Sequence, residues 1–206
     1  MKKTVFILAI FSSLTVFSKT ENLKSTESLK ENIYYVPTQE EVEYVYPLQM
    51  FSPYLGRTFL GFKDAVALSE SSCNYFVVNR LGYKGRYQFG NSTLKWVGIT
   101  NPTKFLRSPK LQERAFEALV AKNKFLLRNH LAKFEGKIIG GVKITESGLI
   151  AAAHLGGAGN VKKFLDSNGK NVFADGNGIA ITTYMKKFSN YDISIINANR
   201  LATARS

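Results

Sequence analysis

The chain has 206 residues, of which 45% are hydrophobic and 13% aromatic, and its formal net charge is +13. This length supports one sizeable core but is short for two full-sized domains, and the aromatic content excludes a disordered polyelectrolyte. Cys73 is the single cysteine, beside two histidines, which excludes an internal disulfide framework and leaves too few ligands for a structural zinc site. We therefore expect chemistry that relies on carboxylates, hydroxyls and amides, without a metal or other cofactor.

Residues 1–18 have the pattern of a secretory signal peptide. Lys2 and Lys3 precede an apolar run from Val5 to Phe17 that a few small polar residues interrupt. A membrane anchor is the alternative, but the run is shorter than the roughly 20 apolar residues that a spanning helix needs. We expect the mature protein to be periplasmic or secreted, with no stable membrane insertion after the signal is cleaved.

The distribution of charge divides the rest of the chain into an acidic leader arm, residues 19–50, and a basic folded domain, residues 51–206. Residues 20–50 carry six glutamates and two lysines, a net charge of −4, whereas residues 51–206 carry 23 basic and 9 acidic side chains, a net charge of +14. The early part of the arm is poor in large apolar side chains, which is typical of a flexible linker.

The basic domain predicts affinity for a polyanion, because cationic side chains release condensed counterions when they bind one. The lysines are dispersed, and no helix-turn-helix, aromatic RNA-binding ladder or metal finger accompanies them. We expect no nucleic acid as a partner. A bacterial cell wall, with its anionic polymers, fits a secreted monomer better.

The apolar pattern predicts a mainly α fold. A first helical face leads into Glu70, and Ser108 with Pro109 forms the cap and first turn of a long core helix that runs to Gly136. Trp96 is interpreted as a core residue. Three further helices are predicted downstream, over residues 148–155, 159–165 and 179–188.

The segment from Gly82 to Gly90 breaks this helical pattern. Glycines alternate here with Tyr83, Tyr87 and other aromatic residues, which predicts a loop or small hairpin beside a cleft. Tyrosine rings offer stacking faces to a sugar, and the amide of Gln88 offers hydrogen bonds to hydroxyl or acetamido groups. We therefore predict that Tyr83, Tyr87 and Gln88 contact a substrate.

Glu70 is the candidate catalytic residue. It ends a mostly apolar helix in the run Ser69-Glu70-Ser71-Ser72, just before the glycine-rich segment. A carboxyl group packed against apolar and aromatic side chains loses solvation and can hold a proton near neutral pH, as a general acid must. The alternative from the residues alone is an exposed glutamate at a helix end.

Three segments in order carry a set of related motifs: ESSCNYFVVNRLGYKGRYQFG over 70–90, AAAHLGGAGNVKKFL over 151–165 and IAITTYMKKF over 179–188. Together they resemble the lysozyme-like lytic transglycosylase superfamily. In that family a Glu-Ser pair ends a helix, a Gly-x-[Met/Tyr]-Gln element follows, and an Ala-Tyr-Asn-x-Gly element and a tyrosine helix come later. The match is closest to secreted bacterial peptidoglycan lytic enzymes with a GYxGxYQFG motif.

The resemblance implies an α+β lysozyme-like domain that cleaves peptidoglycan glycan strands. It makes Glu70 the catalytic acid and base, Gln88 a sugar-contacting amide and Tyr184 the hydroxyl that orients the catalytic carboxylate. The chain departs from the family pattern at two places: His154-Leu155 stands where the family has Tyr-Asn, and Gly85-Arg86-Tyr87-Gln88 where it has Gly-Leu-Met-Gln. From their positions we expect His154 and Tyr184 to contact the substrate as well. The implied reaction breaks the β-1,4 bond between N-acetylmuramic acid and N-acetylglucosamine and leaves a 1,6-anhydro product.

Two alternative functions remain open from the sequence. A hydrolytic muramidase needs a way to activate water, often a second carboxylate, and Asp64, Glu146 and Asp175 are the acidic residues considered for that role. A non-catalytic protein that binds or assembles the wall needs the cleft but no proton donor, and Glu70 with Gln88 argues against it.

Overall fold

The computed structural model of the protein describes residues 55–205. The predicted signal peptide, the predicted leader arm and the first four residues of the predicted domain lie outside this part. Within it the fold is mostly helical, as the sequence predicts. The helices are α1 Phe59–Ser71, α2 Asn91–Trp96, α3 Pro102–Leu106, α4 Pro109–Phe134, α5 Glu146–Asp166 and α6 Ile181–Lys187, and the two short strands are β1 Ile138–Ile139 and β2 Val142–Lys143. None of these helices is long and apolar enough to cross a membrane.

Helix α4 is the central element and begins where the sequence predicts. The Ser108 hydroxyl accepts a hydrogen bond from the Leu111 backbone N–H at 3.3 Å, and Pro109 occupies the first turn, where its missing N–H costs nothing. The helix packs against α5. A tight antiparallel pair, β1 and β2, joins the two helices, with Gly140 and Gly141 both at positive φ in the turn.

Helix α5 combines two of the predicted helices. Its first turn is capped by the Thr145 hydroxyl, which accepts from the Gly148 N–H at 3.2 Å. The sequence predicts separate helices over 148–155 and 159–165, and the structure runs them end to end across Gly157, whose φ of 80° and ψ of 149° are not helical. This break turns the second half of α5 away from the first.

Aromatic packing holds α1, which carries Glu70, against the rest of the core. The fully buried Phe62 ring lies 6.2 Å from Phe116 of α4, 6.3 Å from Phe188 and 5.7 Å from Tyr191, measured between ring centroids. Edge-to-face and offset contacts of this kind stabilise a core beyond the area that they bury. The position of Glu70 is therefore fixed by contacts from two distant parts of the chain.

The glycine-rich segment forms the predicted small hairpin, with single bridges from Lys84 to Val78 and to Phe89. Buried Gln112 of α4 holds the hairpin: its Oε1 accepts from the Arg86 N–H at 2.8 Å. A Cβ on Gly85 would lie 2.2 Å from that same Oε1. Glycine is favoured there because the backbone lies against the hydrogen-bonded amide of the Gln112 side chain and has a φ of 73°.

A cluster under the hairpin, in which Lys63 and Tyr75 contact Glu113, makes the stability of the fold depend on pH. Burial by itself would raise the pKa of Glu113, but hydrogen bonds from Tyr75 and Lys63 and the Lys63 charge outweigh it and lower that pKa below 4.5. A lowered pKa in the folded state contributes stability above the unfolded pKa, and this is lost as pH falls through the folded value. We expect the free energy of unfolding, measured by urea titration, to drop below about pH 4.5, and to drop less steeply in Glu113→Gln. Replacement of the exposed Glu135 by glutamine is the control, and an equal change in slope for both variants would contradict this assignment.

Candidate active site

Glu70 lies in the last turn of α1, where the chain reverses direction. Ser72 and Cys73 both adopt left-handed conformations, with φ of 53° and 65°, and the Cys73 N–H donates to the Ala67 carbonyl at 3.1 Å. Two successive non-glycine residues in this region are costly and occur where the surroundings impose them. The hydroxyl of Ser71 donates to the Arg86 carbonyl at 2.8 Å, so the helix end that carries Glu70 is tied directly to the hairpin.

The Glu70 carboxylate meets a tyrosine and a histidine. Tyr184 on α6 donates from its hydroxyl to Oε1 at 2.8 Å, and His154 on α5 places its Nε2 3.6 Å from the same oxygen, longer than a hydrogen bond. Only 14% of the Glu70 side chain is exposed. Burial, together with the negative charge of Glu70, raises the pKa of Tyr184 well above its ordinary value, so the phenol stays protonated and acts as a donor.

The His154 ring is held mainly by packing. It lies edge-on to Phe116 at 5.6 Å and to Phe89 at 6.0 Å, and 8% of the side chain is exposed. Its Nδ1 is buried and has no hydrogen-bond partner within residues 55–205. The ring therefore packs between Glu70 and the core, and Nε2 is the ring nitrogen on the side of Glu70.

A cleft beside Glu70 consists of two adjoining cavities. The first has a volume of about 100 Å³ and the second about 340 Å³, and Tyr83, Gln88, His154 and Leu155 line both. The remaining residues of the first cavity come from α1, from the hairpin and from the turn that precedes α6. They are Glu70, Asn79, Leu81, Asp175, Gly176 and Asn177.

Tyr83 and Gln88, two of the residues predicted to contact a substrate, both line the cleft. Tyr83 is 43% exposed, which leaves its ring available to a ligand. Gln88 has a φ of 49°, and its Nε2 donates to the Gly85 carbonyl at 2.8 Å. The Gln88 side chain therefore stabilises the turn that holds it, and the residue lines both cavities.

The prediction that Tyr87 contacts the substrate is wrong. Its ring is fully buried and stacks on Phe116 at 4.1 Å, and its hydroxyl donates to the Glu113 carboxylate at 2.9 Å. Burial, followed by the Glu113 charge, raises the pKa of Tyr87 far above its ordinary value. No face of the ring is open to a sugar, because α4 covers it; Tyr87 is a core residue.

The structure separates the three candidates for a second carboxylate. Asp64 forms an ion pair with Arg86, and Glu146 pairs with Lys124 at 3.0 Å; neither lines the cavities. Asp175 lines the first cavity together with Glu70. Its Oδ1 accepts from the backbone N–H groups of Asn177 at 2.9 Å and Ile179 at 2.8 Å, so the turn that carries Asp175 holds the carboxylate in place.

Two residues of the second cavity escape prediction from the sequence. Trp96 is 42% exposed and lines this cavity, so its interpretation as a core residue is wrong. Asn123 lies in the middle of α4, between Leu119 and Leu126 on the same helix face. A polar residue inside an apolar stripe was the available signal for it. For Trp96 the available signal was its place in a short helix just after the glycine-rich segment.

Comparisons with protein families, with curated proteins and with solved structures find no match for this chain. Among residues 55–205, no group of three or more His, Cys, Asp or Glu side chains is placed to hold a metal ion.

Proposed function

We propose that this protein is a peptidoglycan lytic transglycosylase with a lysozyme-like domain, and that it acts outside the inner membrane on glycan strands of the wall. The observation that carries the proposal is the largely buried Glu70 carboxylate at the wall of a cleft, with the Tyr184 hydroxyl 2.8 Å from its Oε1. A carboxyl group held by a neutral donor beside a ligand-sized cleft is suited to general acid and base catalysis.

The chemistry needs one carboxyl group. Protonated Glu70 donates its proton to the glycosidic oxygen between N-acetylmuramic acid and N-acetylglucosamine as the bond from that oxygen to the muramic C1 breaks. The substrate's own acetamido group stabilises the positive charge that develops at C1. The C6 hydroxyl then attacks C1 and returns its proton to the Glu70 carboxylate, which closes the 1,6-anhydro ring and restores the acid.

The walls of the cleft fit a neutral sugar. The exposed ring of Tyr83 offers a stacking face, the Gln88 turn offers polar groups between the two cavities, and His154 forms the inner wall beside Glu70. The net charge of +14 on residues 51–206 favours accumulation on an anionic wall.

Digestion of purified sacculi tests the proposal. We expect soluble muropeptides that end in 1,6-anhydro-N-acetylmuramic acid when the products are analysed by mass spectrometry. A folded protein that sediments with sacculi at several pH values but releases no product would instead be a wall-binding protein, and the proposal would be overturned.

Hydrolysis is the second candidate function, and the position of Asp175 favours it. This carboxylate lines the same cavity as Glu70, where it can orient a water molecule towards C1. Reducing-end muropeptides in place of anhydro products would identify a muramidase. Asp175→Asn should then abolish product formation, whereas in a transglycosylase the same variant should still form the anhydro product.

Tyr184→Phe tests whether the hydroxyl positions Glu70. The variant keeps the apolar packing and loses one hydrogen bond to a charged group, worth about 1.5–3 kcal/mol. We expect the protein to stay folded, with a loss of stability no larger than that and an unchanged KM, but with a kcat on sacculi that is about 10- to 100-fold lower. Tyr191→Phe is the matched control, since its hydroxyl makes no hydrogen bond within residues 55–205 and its ring packs on Phe62. Equal kcat values for the two variants would assign Tyr184 to packing alone.

A further inference from the structure

A third cavity lies where the start of α4, helix α3 and the last described residues meet. Its volume is about 340 Å³, and it shares no lining residue with the two cavities of the cleft. Three cationic side chains line it, Lys104 from α3, Arg114 from α4 and Arg205, whereas no aspartate or glutamate of the described chain does. Like charges around one cavity repel each other, which costs free energy unless an anion lies between them.

The Arg114 guanidinium has no carboxylate partner within residues 55–205. Glu113 and Glu117, the nearest acidic residues of α4, both pair with Lys63, at 3.0 and 3.1 Å. The Nε of Arg114 is buried without a hydrogen-bond partner. Its two terminal nitrogens are not buried, and they donate no hydrogen bond to a described residue. Because the side chain lines the cavity, a ligand there can reach those terminal nitrogens.

The segment that carries Arg205 is fixed against the core. Ala204 is fully buried, and its backbone N–H donates to the Val97 carbonyl at 2.9 Å. The Nε of Arg205 donates to the Gly98 carbonyl, also at 2.9 Å. A guanidinium has five N–H donors, so this bond holds the group at the cavity and leaves the donors of the terminal nitrogens for a ligand.

The start of α4 adds to the positive potential. Ser108, its N-cap, and Leu111 both line the cavity, and the first turn contains no acidic residue. The backbone N–H groups at the beginning of a helix carry a partial positive charge, which favours an anion nearby. The helix start and the three side chains therefore favour the same kind of ligand.

The number of cations indicates a phosphate group. Phosphate oxygens point in several directions, so cations from separate segments can pair with one group, and arginine and lysine are the usual partners. The same walls include apolar side chains, Ile99, Leu111 and Ala204, which suit the carbon skeleton of an ester. The volume is at the lower end of small-molecule sites, which measure roughly 300–1,000 Å³, and it accommodates a phosphate with a short polyol.

We infer that the third cavity binds a phosphate ester of a small polyol, with Arg114 and Arg205 donating to the phosphate oxygens and Lys104 contributing its charge. The inference does not rest on the proposed function. It adds a binding site outside the cleft, and it assigns to one place an affinity for anions that the net charge of the domain leaves unlocated. The ester can be a soluble glycerol phosphate or the headgroup of a lipid.

Calorimetry of the folded protein with sn-glycerol 3-phosphate tests the inference, with glycerol as the neutral control ligand. We expect the ester to bind and glycerol not to bind. Arg114→Gln should weaken the affinity for the ester about 10-fold or more, because charge-assisted hydrogen bonds are lost. Arg128→Gln is the matched control, since it removes the same charge from an exposed position of α4 that lines none of the three cavities. This variant should bind the ester as the wild type does.

Thermal unfolding separates a binding role of Arg114 from a structural one. A ligand that binds only the folded state raises the melting temperature. Glycerol 3-phosphate should therefore raise it in wild type and in Arg128→Gln, but much less in Arg114→Gln. Without ligand, Arg114→Gln should melt no lower than wild type, since it removes repulsion. If it does not fold, Arg205→Gln is measured in its place and should lose the same affinity.

Vesicles distinguish the two sources of the ester. Cosedimentation with phosphatidylglycerol vesicles that is lost in Arg114→Gln and kept in Arg128→Gln would identify a lipid headgroup, whereas calorimetric binding of glycerol 3-phosphate without it would identify a soluble ester. If neither the ester nor the vesicles bind in a way that depends on Arg114, the inference is overturned. Digestion of sacculi is measured separately, so the proposed function can fail while this site is confirmed, or stand while this site is refuted.

Discussion

Glu70→Gln is expected to lower the rate of sacculus digestion by about 100-fold or more, the scale of losing a general acid and base. Glutamine keeps the shape of the side chain, and its amide oxygen still accepts from the Tyr184 hydroxyl, but it has no proton to donate to a leaving group. Product release measured by mass spectrometry under initial-rate conditions gives the effect. The fold should persist, with a melting temperature close to that of the wild type.

Glu146→Gln is the control for this prediction. Glu146 pairs with Lys124 at the start of α5 and does not line the cleft. Its replacement should leave the rate of digestion within a few-fold of wild type. Full activity of Glu70→Gln would refute the catalytic assignment and would make Asp175, the other carboxylate in the first cavity, the next residue to test.

Tyr87→Ala is expected to destabilise the fold by about 3–5 kcal/mol, as large-to-small substitutions of buried aromatic residues do. The variant leaves a void against Phe116 and removes a donor from Glu113, both of which lie on the central helix α4. Urea denaturation gives the free energy of unfolding. Any loss of glycan binding by this variant should follow the loss of folded protein.

Two further variants distinguish the contribution of the Tyr87 ring to stability from that of its hydroxyl and from that of Tyr83. Tyr87→Phe keeps the stacked ring and should cost less than the alanine variant. Tyr83→Ala removes an exposed ring of the same hairpin and should change stability by no more than about 0.5 kcal/mol while it weakens glycan binding. Wild-type stability in Tyr87→Ala, with reduced affinity for wall fragments, would restore Tyr87 to the binding surface.

The two tyrosines show where sequence reasoning about the site reaches its limit. Tyr83 directly follows Gly82 and Tyr87 lies two residues after Gly85, and this local pattern does not show which of the two rings is buried. The hairpin presses its Gly85-to-Phe89 part onto α4, where buried Gln112 holds the backbone. Because that contact joins segments far apart in the chain, only the packed structure decides which ring is covered.

The same limit applies to the second carboxylate. The sequence does not distinguish Asp64, Glu146 and Asp175. For each of these acidic residues the local pattern predicts only a position on the surface. Ion pairing with Arg86 and Lys124 occupies the first two. Asp175 reaches the cleft because the turn before α6 folds back towards α1, and Trp96 and Asn123 enter its second cavity through similar long-range packing.

Short-range patterns in the chain predict three local features of this protein: the start of α4 at Ser108 and Pro109, the helix with Glu70 in its last turn, and the glycine-rich hairpin. Each follows from side-chain periodicity, capping or backbone freedom over a few residues. Long-range packing, in contrast, brings the Tyr184 hydroxyl to Glu70 across 114 residues, and it places Tyr83 in the cleft while it buries Tyr87. Such contacts depend on how helices pack, because packing sets which side chains meet and which remain exposed to a ligand.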